Sequence, residues 1–409
     1  MNSGSINKRL VIWILGALST VTPFAIDLYL PAFAKIADEF GTTTATVSLS
    51  VTSYFIGMAI GQMLYGPLLD KYGRKSPLYA GLILFIIASV ACIQSTSIEM
   101  MIVFRFLQAL GGSVAWVAAL AMVRDFFPVQ ESARIFSLLI LIIGVSPLLA
   151  PTIGGFIVVN LGWHAVFMTL AVIVSIIIVV VFFFLPVGYQ PDSTISLKAG
   201  PMLNTFLSIL KEPQFYTYTF AGAFSFATLF IYVAGSPVIF IDMFDVSPQV
   251  YGGIFALLSV GFIGASQANI LLNKKISSER IFQVALTCQV IGSFIFLVGA
   301  FNHWLDMYTT IAMFFICLTC VGLTNPNANA LALAPFSKNV GSASALLACS
   351  QIGIAGFTSA GVAAFASKDM LPIVMLMAIT CSIALSILLL GRNKIKTIHT
   401  GGASPTIAH

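Results

Sequence analysis

Asp27 and Arg105 are the two charged residues that fall well inside the long apolar runs of this sequence. An Arg near the middle of a membrane helix costs about 2.5 to 3.5 kcal/mol on insertion scales, so it needs a carboxylate or a water-filled cavity. A carboxyl held there can take up and release a proton, with an affinity set by burial and by the cations and cargo that come near it. At about 1.5 Å per residue, Asp27 stands roughly 25 Å above the start of its helix. Arg105, on a helix running the other way, stands at roughly 22 Å in a core about 30 Å thick. The two charges therefore share a level. They are expected either to lock two helices as a static ion pair, or to couple transport to protons with Asp27 titrating and Arg105 tuning it. Aromatic rings and isolated polar groups would line the adjoining cleft, giving apolar area and cation-π contacts to flat lipophilic molecules. The candidates for that lining are Tyr29, Tyr54, Gln108, Phe224, Tyr232 and Asn329.

The elements that must position these residues follow from composition. Of 409 residues 59% are hydrophobic and 8% charged, where a soluble protein has roughly 25% charged. Apolar runs fall at 10–32, 45–67, 76–95, 100–122, 134–158, 164–186, 214–237, 249–272, 281–301, 306–325, 341–366 and 371–391. Each is long enough for a crossing, and without the alternating pattern of a barrel only helices can satisfy their backbone in hydrocarbon. The fold class is an all-α integral membrane bundle of twelve helices.

Lys and Arg stay on the cytoplasmic side of short loops. Starting with Lys8 and Arg9 inside, that side also collects Lys71, Arg74, Lys75, Arg124, Arg134, Lys198, Lys211, Lys274, Lys275, Arg280, Lys338, Arg392, Lys394 and Lys396. The outer side receives only Lys35 and Lys368, so an even number of crossings with both termini cytoplasmic is expected. The basic residues mark loops and give no nucleic-acid signal. Asp27 and the length of the first run also argue against a cleaved secretory signal. The polar stretch 187–212 divides the spans into six and six, predicting an N-terminal bundle over 1–186, a cytoplasmic linker, a C-terminal bundle over 213–396 and a disordered tail over 397–409. Such halves suit a transporter that binds its substrate between them near the midplane.

Three motifs carry more detail. The loop after the second span reads Gly66-Pro67-Leu68-Leu69-Asp70-Lys71-Tyr72-Gly73-Arg74-Lys75. Its glycines permit a tight turn, and Asp70 can pair with neighbouring cations. The fourth span holds Arg105-Phe106-Leu107-Gln108 and is followed by Arg124-Asp125. The fifth contains Gly144-Val145-Ser146-Pro147-Leu148-Leu149-Ala150-Pro151-Thr152-Ile153-Gly154-Gly155, where prolines and paired glycines favour a bend and a close helix approach. Together these resemble the major facilitator superfamily: the loop its GxLaDrxGrk signature, the fourth span its RxxQ element, the fifth its antiporter motif. Ala109 and Ala150 replace glycines of the usual pattern. Asp27-Leu28-Tyr29-Leu30-Pro31, Met122-Val123-Arg124-Asp125-Phe126-Phe127 and Gly341-Ser342-Ala343-Ser344-Ala345 further resemble the bicyclomycin-resistance branch of twelve-helix drug/proton antiporters. Trp163-His164 and Leu185-Pro186-Val187 depart from it.

The resemblance implies two six-helix bundles related by a pseudo-twofold axis, in the cytoplasmic (inner) membrane. It implies gating roles for Gly66, Asp70, Gly73, Arg74, Arg124, Asp125, Pro147, Pro151, Gly154 and Gly155, and export rather than uptake. The expected function is a proton-coupled multidrug efflux antiporter, monomeric, whose partners are a small-molecule substrate, protons and the bilayer. Export of a small metabolite such as an amino acid or sugar derivative is the alternative, and a polytopic membrane enzyme or sensor a more distant one. No catalytic residues, metal site or cofactor are expected, and the proton gradient is the energy source. Cys317 and Cys320 lack two further ligands and read as packing.

Overall fold

In the computed structural model residues 8–127, 129–186, 199–336, 340–364 and 369–395 are described. The expected tail, the linker as far as residue 198 and the side chain of Arg124 lie outside them. The described residues form helices with no strand: α1 (Lys8–Asp27), a 3-10 turn (Leu30–Ala32), α2 (Phe33–Phe40), α3 (Thr44–Tyr72), α4 (Lys75–Ile93), α5 (Ile98–Phe126), α6 (Val129–Leu161) and α7 (His164–Phe184). Then follow α8 (Ala199–Leu210), α9 (Pro213–Pro237) with a π-helical turn (Val238–Met243), α10 (Pro248–Leu272), α11 (Ser278–Phe301), α12 (Met307–Leu333), α13 (Val340–Ala364) and α14 (Leu371–Arg392). Among the described residues eleven helices are long and apolar enough to cross a membrane, and Val145–Leu161 of α6 supplies a shorter apolar stretch. The chain is a multi-pass, twelve-helix membrane protein.

Local chemistry sets the ends. Thr43, Ser97 and Ser277 accept from the backbone N–H three residues on, and Asp306 and Thr309 form a reciprocal capping box at the start of α12. Gly73, at φ +79°, ends α3 in a backbone conformation that favours glycine. Outward faces are apolar, as lipid demands: Phe182, Phe183 and Phe184 at the end of α7 are all more than half exposed.

Two compact units emerge. The first comprises Met1–Leu197 with Val233–Ser259 and Ser359–Asp369. The second comprises Lys198–Tyr232, Val260–Thr358 and Met370–His409. In the first, α5 lies along both α3 and α4, and glycines bring the backbones together. A methyl at Gly57 would stand 2.5 Å from the Phe106 carbonyl oxygen, and one at Gly111 would stand 2.5 Å from that of Gly81. Close approach through small residues is how helices associate where lipid removes the hydrophobic drive. It fixes α5, and with it Arg105 and Gln108. In the second unit α11 packs on α12 and α14, and Phe215, Tyr218, Phe282 and Leu286 belong to its apolar core.

Candidate transport site

The i, i+3 spacing puts Arg105 and Gln108 on one face of α5. Arg105 is fully buried and donates through Nη1 to Gln108 Oε1 at 2.5 Å. Gln108 passes the constraint on, donating through Nε2 to Ser89 Oγ at 2.7 Å, and Ser89 donates to the Phe85 carbonyl. The rest of the guanidinium meets rings, its carbon lying 4.3 Å from the Tyr54 centroid, 4.7 Å from Tyr29 and 5.8 Å from Phe167. Tyr29 is held by a 2.9 Å hydrogen bond between its hydroxyl and Ser50 Oγ and by its ring against Phe33 and Phe167. Four predicted residues, Arg105, Gln108, Tyr29 and Tyr54, thus form one cluster. Ser89 and Phe167 were not singled out in the sequence. A serine one helix away from an RxxQ pair has no sequence signal of its own.

Asp27 is not part of that cluster. Among the described residues no ion pair joins it to Arg105, so the static lock anticipated between the two charges is not formed. The reason is local. The run 10–32 is not one continuous helix: α1 stops at Asp27, and the chain passes through the 3-10 turn that contains Pro31. Asp27 and Tyr29, two residues apart, face different sides, and it is Tyr29 that meets the guanidinium.

Asp27 itself is 5% exposed and sits beside the double-glycine motif of α6. A methyl at Gly154 would collide with the carbonyl oxygen of Leu28, the next residue after Asp27. Gly155 abuts Pro248, where a methyl would stand 2.5 Å from the carbonyl oxygen, and Gly252 abuts Pro151 and Thr152 in the same way. The segment Pro151–Gly155 is therefore wedged between the end of α1 and the start of α10. Tyr251 of α10 lies within electrostatic range of Asp27, and its hydroxyl is 2.9 Å from Ser236 Oγ. Pro147 and Pro151 both lie inside α6, which continues through them. Two further bonds in this unit were not foreseen: the Thr44 hydroxyl donates to Asp242, and Thr52 Oγ1 lies 2.8 Å from Ser359 Oγ. Asp242 falls just past the apolar run 214–237, where a carboxylate reads as loop.

The GxLaDrxGrk loop forms a three-residue cluster. Arg74 donates through Nε to Asp125 Oδ2 at 2.7 Å and through Nη2 to Asp125 Oδ1 at 3.2 Å, while Nη1 reaches Asp70 Oδ1 at 2.5 Å. Burial opposes the charge on Arg74, but its hydrogen bonds to the two carboxylates and their negative charge outweigh it and hold its pKa above the ordinary arginine value. Gly66 has open space around it, unlike the conformationally constrained Gly73.

In the second unit Phe224 packs against the apolar core, Tyr232 meets Phe314 in a tilted ring contact at 5.1 Å, and Asn329 accepts from Gln351 Nε2 at 2.8 Å. A polar network unnoticed in the sequence lies at its centre. Gln289 donates to the Ser225 carbonyl and to Thr228 Oγ1, and accepts from Ser225 Oγ at 2.6 Å. Ser225 Oγ also lies 2.7 Å from Thr324 Oγ1. An apolar groove of about 370 Å³ beside Phe294, Met375 and Ile383 holds none of the predicted residues.

The geometry can be set beside known proteins. The pattern of the Major Facilitator Superfamily matches residues 15–359. The chain is 31% identical over 337 residues to the uncharacterized MFS-type transporter YdgK of Bacillus subtilis (strain 168), covering 82% of this chain and 84% of that one. It is 28% identical over 375 residues to the bicyclomycin resistance protein homolog of Haemophilus influenzae, covering 91% and 93%. Its fold matches, with a TM-score of 0.75 and 15% identity over 99% of this chain and all of the other, a crystal structure of a bacterial homolog to the human lysosomal transporter Spinster in an inward-facing and occupied conformation. These matches describe transporters rather than enzymes. With the Arg74 cluster in its signature loop and the glycine-wedged fifth span both inside the matched region, this chain belongs to the major facilitator superfamily.

Proposed function

We propose that this transporter exports lipophilic, drug-like molecules across the inner membrane in exchange for protons, as a monomer with both termini in the cytoplasm. Asp27 is the observation that carries the reading. It is a buried carboxyl without an ion-pair partner among the described residues, at the end of α1 and against the wedge Pro151–Gly155. A carboxyl with no fixed counter-ion can change charge without breaking a lock, and one at a helix end can pass that change on as movement. A relative named for bicyclomycin resistance supports drug export.

In the cycle, ionised Asp27 favours loading from the cytoplasm, and protonation from outside favours release. Coupling requires the proton and the cargo to differ in affinity for the two conformations. The halves 1–186 and 213–396 rock by alternating access. Gly66, Asp70, Gly73, Arg74, Arg124 and Asp125 latch the cytoplasmic mouth, and Pro147, Pro151, Gly154 and Gly155 form the hinge. Tyr29, Tyr54 and Gln108 contact cargo from the first half, and Phe224, Tyr232 and Asn329 from the second. The proton gradient is the energy source, with no cofactor. Inverted vesicles with and without a pH gradient, screened with cationic, neutral and zwitterionic compounds, test the reading. The wild-type protein should accumulate cargo only with the gradient, and Asp27→Asn should abolish that dependence. Gradient-driven accumulation at the normal rate in Asp27→Asn would reject it.

A further inference from the structure

The guanidinium of Arg105 has one edge left over. Nη1 is taken by Gln108, while Nε and Nη2, both fully buried, meet no hydrogen-bond acceptor among the described residues. These two nitrogens share an edge of the planar group, where parallel N–H bonds match the two oxygens of a carboxylate. The rings of Tyr54, Tyr29 and Phe167 balance part of the charge through their faces. A ring face does not replace two acceptors in the guanidinium plane. No carboxylate of the described residues lies within ion-pair distance of Arg105. The chain Arg105–Gln108–Ser89–Phe85 carbonyl fixes the direction of the edge before any ligand arrives.

We propose that this edge binds the acid group of the cargo, so that the transported molecules are apolar bodies carrying a carboxylate or a planar oxyanion of the same shape. The aromatic side chains around the guanidinium seat the apolar body. The site is shut in this structure, and the acid enters as the rings of Tyr29 and Tyr54 part. This assignment rests on the export reading and names its substrate class.

The test needs no proton gradient, so its failure is separate from failure of the coupling role of Asp27. Full-length protein in nanodiscs is titrated with 1-naphthoate and with the isosteric neutral 1-naphthamide, following thermal stabilisation and tryptophan fluorescence. The acid should bind about tenfold or more tighter than the amide, as a charge-assisted two-point contact predicts. Arg105→Gln should bring the two within about twofold. Arg105→Lys, which keeps the charge and protects folding, should retain only part of the preference because an ammonium lacks the fork. Gln289→Leu, in the neutral network of the second unit, should keep the acid preference. Equal binding of acid and amide, binding of neither, or a preference that survives both Arg105 substitutions would overturn the proposal.

Discussion

Each unit buries a polar centre among its long helices, and the two centres are built on opposite principles. In the second unit Gln289, Ser225, Thr228 and Thr324 are neutral and satisfy one another. In the first, Arg105, Gln108 and Ser89 are anchored at one end and leave two charged donors open at the other. A closed neutral network holds helices together and asks nothing of a ligand. An open charged one stays costly until something answers it. On the proposed reading, the difference separates a structural centre from a working one.

The largest effect that would sharpen this contrast lies beside Asp27. Gly154→Val drives a branched side chain into the Leu28 carbonyl and should abolish transport, measured in vesicles, with a large loss of thermal stability. Gly264→Ala, in open space on α10, should leave transport near normal. Next comes Arg105→Gln, which should lose most coupled transport while the protein still inserts. Normal coupled transport would return Arg105 to a structural role. In the other unit Gln289→Leu leaves Ser225 and Thr228 without their amide partner, and should destabilise by about 1 to 3 kcal/mol in a detergent melt. Its cargo preference should not change. A changed preference would break the distinction between the two centres.

Smaller still is Asp125→Asn, which removes the charged partner of the two-point contact to Arg74 and should slow turnover more than it lowers stability, read as rate against melting temperature. The smallest effect concerns Asp306. Hydrogen bonds from the Thr309 hydroxyl and backbone hold its carboxyl below the ordinary range. A depressed folded-state pKa gives stability that is present above the unfolded value and lost as pH falls through the folded one. Asp306→Ala should therefore cost a little stability at neutral pH, with the difference from wild type shrinking below about pH 4.

The crossings were legible because hydrocarbon imposes long apolar runs whatever else a helix does, and the family motifs were legible because their order is specific. Arg105 with Gln108 followed from i, i+3 spacing. The break after Asp27 did not, because Leu28-Tyr29-Leu30 continues the apolar run and only Pro31 hinted at a turn. Counting residues along a helix gives a level but not the side a residue faces, so it paired the wrong side chain with Arg105. Helix α8 was hidden for the opposite reason, lying in a stretch read as linker for its polar residues, prolines and glycine. The Gln289 network escaped notice because serine, threonine and a lone amide scattered through apolar spans leave the hydropathy pattern intact.

The glycines that clasp α5 carry one last implication. Because Gly57 and Gly111 set backbone against backbone, with no side chains between that could readjust, the base of Arg105 is a fixed coordinate in the first unit. Chemists designing blockers of this transporter could treat it as a rigid anchor, varying only the length and shape of what is tethered to it.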